Sequence, residues 1–130
     1  MKLHVYSSSR KTAHALCRKL IELMEKKEGD FHLAIPGGKM LIPFYIALAG
    51  KYKKDIPWER LFLYWVDEVC VPPTSPASNY GLVKQLLLNN VPLAESHIFR
   101  IQGENEPDQE ACRYSQWIRT TLPSTDNILA

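Results

Sequence analysis

No stretch of this sequence approaches the roughly 18 consecutive apolar residues that a membrane span requires. Met1-Lys2 runs straight into the alternation Leu3, Val5, so the apolar core of a signal peptide is missing as well. Cysteine is sparse: Cys17, Cys70 and Cys112 are widely spaced, form no Cys-x-x-Cys pair and join no histidine at zinc-ligand spacing. Neither a disulfide framework nor a structural metal is expected, and the three read as reduced thiols of a cytoplasmic protein. Charge of one sign is lacking too. The 16 basic and 14 acidic residues are scattered to a net charge of +2, and the densest run, Glu22 to Asp30, mixes both signs as the solvated end of a helix does. Neither nucleic acid nor a membrane is expected as a partner.

The composition that remains, 45% hydrophobic and 23% charged, is ordinary for a globular chain. A chain of 130 residues fits one domain and should bury roughly two-thirds of its extended surface, without help from cross-links. Lys2 to Tyr6 reads as a first strand, and Ser7-Ser8-Ser9 offers N-caps for a helix with the stripe Ala13, Leu16, Cys17, Leu20, Leu23 and Met24. Phe31 to Ile35 is predicted as a second strand, followed by a helix from about Lys39 to Ala49. Pro43 is tolerable there only in the first turn, so that helix is expected to start nearer Leu41. Leu61 to Val66, apolar at nearly every position, suits a strand buried on both faces. A loop with three prolines, Cys70 to Ala77, leads to Ser78 as the cap of a helix from Asn79 to about Asn89. His97 to Ile101 reads as a fourth strand and Pro107 to Leu122 as a last helix. Four strand-helix units predict an α/β fold, a mostly parallel, Rossmann-like sheet with helices on both faces, forming one domain over residues 1–130.

Ligands in such folds sit beyond the carboxyl ends of the strands. Pro36-Gly37-Gly38-Lys39 falls there, where two glycines let the backbone turn tightly and approach a phosphate, and the next helix offers free N–H groups. Asp67-Glu68 falls there too, and a carboxylate at that place orients a substrate hydroxyl or takes part in proton transfer. Asn79 and Tyr80 reach toward the same end from the start of a helix. Taken singly, each has a plain structural reading: a turn for the glycines, a cap of loop amides for Asp67, an N-cap for Ser78 and packing for Tyr80. Cys70 has no histidine near it in sequence and reads as no nucleophile, while His4, His14, His32 and His97 read as structural.

In order, the series Gly37-Gly38, Trp58, Val66-Asp67-Glu68, Val71-Pro72, Ser78-Asn79-Tyr80 and Val91-Pro92 closely resembles the amino-terminal half of 6-phosphogluconolactonases. These belong to the glucosamine-6-phosphate isomerase/6-phosphogluconolactonase superfamily. The resemblance implies a hydrolase acting on 6-phosphoglucono-δ-lactone in the pentose phosphate pathway, with no metal and no cofactor. Asp67 would be the catalytic-site residue that positions substrate or base, and Gly37, Gly38, Lys39, Glu68 and Asn79 would bind the phosphorylated sugar lactone. Two positions depart from the pattern: Lys39-Met40 stands in place of Ser/Thr-Pro, and Val69 in place of an arginine that could make bidentate bonds to an anion. The family's general-base histidine lies in a Gly-x-Asp-Gly-His segment on a later loop. The sequence reaches Asn127-Ile128-Leu129-Ala130 without it, so the domain is expected to be incomplete relative to the family, and this chain alone inactive. A non-catalytic sugar-phosphate-binding or interaction module on the same fold is the alternative expectation.

A sheet with fewer strands than its relatives keeps an unpaired edge, and unpaired edges associate. Self-association through that edge is therefore expected. Sedimentation at micromolar concentration should detect dimers or larger species; a compact monomer throughout would contradict it.

Overall fold

Three short strands, β1 (Phe31–Ile35), β2 (Leu61–Trp65) and β3 (Ile98–Phe99), lie parallel and in that order in the computed structural model, which describes residues 1–122. Four helices accompany them: α1 (Ser9–Lys26), α2 (Ile42–Ala49), α3 (Asn79–Leu86) and α4 (Pro107–Thr121). The register sets Leu33 beside Leu63 and Leu63 beside Ile98. Because side chains alternate across a strand, β2 is divided between two cores. Leu61, Leu63 and Trp65 pack with Cys17, Leu20 and Met24 of α1, Phe44, Tyr45 and Leu48 of α2 and Val83 of α3. Phe62 and Tyr64 face the other way, onto Phe99 and onto Tyr114 and Trp117 of α4. The expected arrangement of a parallel sheet with helices on both faces is what forms.

Local chemistry fixes the helix ends. The Ser8 hydroxyl accepts the Lys11 N–H at 3.2 Å and caps α1. At the other end the Arg60 guanidinium donates to the carbonyls of Met24 (3.0 Å), Lys27 and Gly29 (2.7 Å), tying the end of α1 to the start of β2. A single 3₁₀ turn over Lys39–Leu41 precedes α2, which places Pro43 in the first turn, where its missing N–H costs nothing.

Two strand expectations need correction. Lys2 to Tyr6 forms no strand, and Leu3 and Val5 stay 82% exposed, because among the described residues no strand edge pairs with that segment. Among the described residues the sheet therefore has three strands rather than four. The last of them covers only Ile98–Phe99 instead of His97 to Ile101: His97 closes a 3₁₀ turn, and β3 leaves β2 immediately after Phe99. The terminal Asn127-Ile128-Leu129-Ala130 lies outside the described residues.

The divergence of β2 and β3 would leave two backbone groups unpaired in the interior. The Tyr114 hydroxyl fills the gap, accepting the Trp65 N–H at 3.0 Å and donating to the Phe99 carbonyl at 2.6 Å. Burial pushes this phenol up to about 12, so it remains a donor throughout the ordinary pH range. Tyr114→Phe keeps the ring but strands both backbone groups, and should lower stability by about 1–3 kcal/mol. The urea midpoint of the variant reads this directly; an unchanged midpoint would show that the bridge contributes nothing.

Candidate functional site

The three strands are parallel, so the segments that follow them emerge at one edge of the sheet: Pro36–Gly38 after β1, Val66–Val69 after β2 and Arg100–Gly103 after β3. Three of the residues singled out in the sequence, Gly37, Asp67 and Asn79, meet there. The Gly37 N–H donates to Asp67 Oδ1 at 2.9 Å, and the Asn79 side-chain amide reaches the Asp67 carbonyl at 3.2 Å and Oδ1 at 3.4 Å. The contact is close enough to dictate glycine. A Cβ built on Gly37 would lie 2.0 Å from Asn79 Nδ2. Gly38 follows with φ +95°, a conformation L side chains rarely adopt, and it turns the chain into the 3₁₀ entry of α2. Asp67 Oδ2 has no partner among the described residues, and the exposed Lys39 side chain makes no ion pair with any of them.

Glu68, the neighbouring acid, has a different situation. Its Oε1 accepts the N–H groups of Val69 (2.8 Å) and Asn79 (2.7 Å), and its Oε2 accepts the Ser78 hydroxyl (2.8 Å) and the Tyr80 N–H (3.0 Å). The carboxylate thus sits on the amino-terminal end of α3, where the helix dipole favours negative charge. Ser78 completes the cap by accepting the Gly81 N–H at 3.0 Å. At the head of α4 Glu106 caps its own helix, accepting the N–H groups of Asp108 and Gln109. The entry of α2 differs from both, since no side chain caps Lys39–Leu41 or Ile42–Ala49.

A pocket of about 530 Å³ opens beside this constellation, between the Asp67–Cys70 loop and α4, with Gly103, Tyr114 and Arg119 among its walls. Sequence reasoning missed two residues that shape it. A Cβ on Gly103 would lie 2.2 Å from the Val69 carbonyl oxygen, so the loop after β2 crosses directly over the loop after β3. Glu110 is buried on α4 and accepts the Gln102 N–H (2.8 Å), the Asn105 amide (3.1 Å) and two donors of Arg113. Its one legible signal was spacing: it precedes Tyr114 by four residues and Arg113 by three.

The remaining candidates lie elsewhere or stand alone. Cys70 is an exposed free thiol on the pocket rim. His32 pairs with the Tyr64 hydroxyl and His97 with the Leu61 carbonyl, both toward the amino ends of the strands, and His14 pairs with the Tyr52 hydroxyl. Among the described residues no group of three acidic, histidine or cysteine side chains could hold a metal ion, and no helix is long and apolar enough to cross a membrane.

The family model for glucosamine-6-phosphate isomerases/6-phosphogluconolactonase matches residues 7–129. A 6-phosphogluconolactonase of Treponema pallidum is 31% identical over 123 residues, covering 95% of this chain and 51% of that protein. One from Haemophilus influenzae is 35% identical over 94 residues, 72% of this chain and 40% of the relative. Among solved structures, the devB protein superposes with a TM-score of 0.87 at 29% identity, covering 94% of this chain and 51% of its own. A monomeric glucosamine-6-phosphate deaminase shares the fold, with a TM-score of 0.82 at 16% identity over 92% of this chain and 51% of that one. The chain spans about half the length of the curated relatives it matches.

The Glu110 cluster gives the site a pH signature. Hydrogen bonds from Arg113 hold this carboxyl at about 2, against an ordinary 4.5, despite the opposing effect of burial. A depressed acid stabilises the fold above its unfolded pKa and loses that contribution as pH falls through the folded one. Glu110 should therefore supply about 3 kcal/mol at neutral pH, lost progressively between pH ~4.5 and ~2. Glu110→Gln should be less stable at pH 7 and should flatten the acid limb of the stability curve, as urea titrations across that range would read; an unchanged limb would contradict this.

Proposed function

Since this chain belongs to the glucosamine-6-phosphate isomerase/6-phosphogluconolactonase family, we propose that its strand-end cleft forms the sugar-phosphate half of a lactonase site, acting on 6-phosphoglucono-δ-lactone. One observation carries the reading: Gly37, Asp67 and Asn79 converge beside a helix entry that is left uncapped. The heads of α3 and α4 are closed by Glu68 and Glu106, so the amides after Gly38 are the anion-accepting helix entry at this edge, with Lys39 adding a point charge. Phosphate goes there. Asp67, with one oxygen held by Gly37 and the other open, takes a sugar hydroxyl or orients the general base.

Lactone hydrolysis needs water to attack the carbonyl, with a base to take its proton and donors to stabilise the oxyanion. His14, His32 and His97 are committed to packing partners, and His4 lies in the exposed amino-terminal segment. The base histidine is accordingly proposed to come from outside these 130 residues, in a cytoplasmic enzyme of the pentose phosphate pathway that needs no metal. A non-catalytic binding module is the second reading, favoured by Val69, which offers an apolar, 45% exposed side chain where the family resemblance expects arginine.

Calorimetry with 6-phosphogluconate, the reaction product, tests the first reading. The chain should bind it, inorganic phosphate should compete, and Gly37→Ala, which drives Asn79 from its seat, should weaken binding at least about tenfold. Residues 1–130 alone should hydrolyse the lactone no faster than it hydrolyses spontaneously. Absence of binding would overturn the site, and robust turnover would overturn the assignment of the base to another segment.

A further inference from the structure

We propose that Glu68 is a positioning residue, which latches the head of α3 and through Asn79 sets the orientation of Asp67. An ionised carboxylate offers about four acceptor positions. All four are taken: Val69 N–H and Asn79 N–H at Oε1, Ser78 O–H and Tyr80 N–H at Oε2, at 2.7–3.0 Å. Nothing is left with which to hold a sugar hydroxyl. The two acids at the end of β2 therefore divide the work, with Asp67 exposed and one of its oxygens open, and Glu68 half-buried with both oxygens held by internal donors.

The latch has a definite mechanical consequence. Residues 69–77 form a loop carrying Pro72, Pro73 and Pro76, and the bonds from Glu68 to Ser78, Asn79 and Tyr80 close that loop at its base. The close crossing of the Val69 carbonyl over Gly103 pins the same loop from the β3 side. With its backbone N–H held by Glu68 Oε1, Asn79 lays its carboxamide against Gly37 and on Asp67. Released from Glu68, the head of α3 would keep the Ser78 cap on Gly81 but lose the acceptors that seat the Asn79 and Tyr80 amides, and Asn79 would be free to move off Asp67. The orientation of Asp67 thus depends on an acid that lines the same pocket but whose oxygens are filled by internal donors.

The functional importance of Asp67 rests on the sugar-phosphate reading above, but the latch itself is read without any ligand. The readout is hydrogen exchange of the Gly37 amide, whose acceptor is Asp67, and of the Tyr80 amide, whose acceptor is Glu68. Both are resolved by mass spectrometry of short peptides from the whole chain. Glu68→Gln is isosteric but turns one acceptor oxygen into a donor; it should speed exchange at both amides by about tenfold. Asn79→Ala should open Gly37 alone and leave Tyr80 protected. The double variant should open Gly37 no further than Asn79→Ala does, because one residue acts through the other, and 6-phosphogluconate affinity should show the same non-additivity.

Ser78→Ala is the control for a merely structural role. It removes the α3 cap and one of the four donors to Glu68, so it should lower the melting temperature while opening Gly37 much less than Glu68→Gln does. The latch is overturned if Glu68→Gln leaves Gly37 exchange as in the wild type, if the two single losses add in the double variant, or if Ser78→Ala opens Gly37 as much as Glu68→Gln. It is equally overturned if Glu68→Gln weakens 6-phosphogluconate binding with Gly37 exchange unchanged, since Glu68 would then touch the ligand. A wild-type chain that fails to bind 6-phosphogluconate counts against the sugar-phosphate reading instead, and the exchange cycle still decides the latch.

Discussion

The bond from the Gly37 N–H to Asp67 joins the ends of β1 and β2, and it forms because nothing larger than hydrogen stands on the Gly37 α-carbon. A Cβ there would overlap Asn79, and Asn79 is the residue that carries the head of α3 to the same spot. Three elements far apart in sequence are thereby fixed at one place on the sheet edge. The parallel topology supplies the edge, and the close backbone approach gathers the candidate site there. Gly103 repeats the device on the β3 side, where the loop after β2 crosses above it.

Charge is arranged by the same economy of space. Each helix that begins near this edge presents unpaired N–H groups and a positive dipole end, a natural seat for an anion. Glu68 occupies the seat at α3 and Glu106 the seat at α4, while the entry of α2 is uncapped. Further down α4, Glu110 faces inward and is matched by Arg113 and by loop donors from Gln102 and Asn105, so the pocket wall holds a paired rather than an isolated charge. The acids at this edge thus differ less in type than in what already occupies their oxygens.

Much of this was legible in the sequence, for physical reasons that can be named. The helical stripe of α1, the unbroken apolar run of β2 and the Ser78 cap are local signals, and local signals suffice where burial and capping decide the structure. The carboxyl-edge position of Gly37, Gly38, Asp67 and Asn79 followed from strand-helix alternation alone. Lys2 to Tyr6 misled because alternation marks a segment able to pair but does not supply the partner. The shortness of β3 was hidden for a related reason: the Tyr114 hydroxyl, on a helical residue fifteen positions after Phe99, replaces ladder bonds. What distinguishes Asp67 from Glu68 was equally invisible, since both are acids after a strand and only the arriving donors separate them.

The chain belongs to the glucosamine-6-phosphate isomerase/6-phosphogluconolactonase family and spans about half the length of its curated relatives, so the proposed division of the site is the central claim. A crystal structure of the chain soaked with 6-phosphogluconate tests that division most directly. Phosphate oxygens are expected on the amides that follow Gly38, a sugar hydroxyl on Asp67 Oδ2, and Glu68 still bound only to its four internal donors. Product lodged elsewhere, for instance with its phosphate against Arg119 and no contact to the Gly38 turn or Asp67, would contradict it.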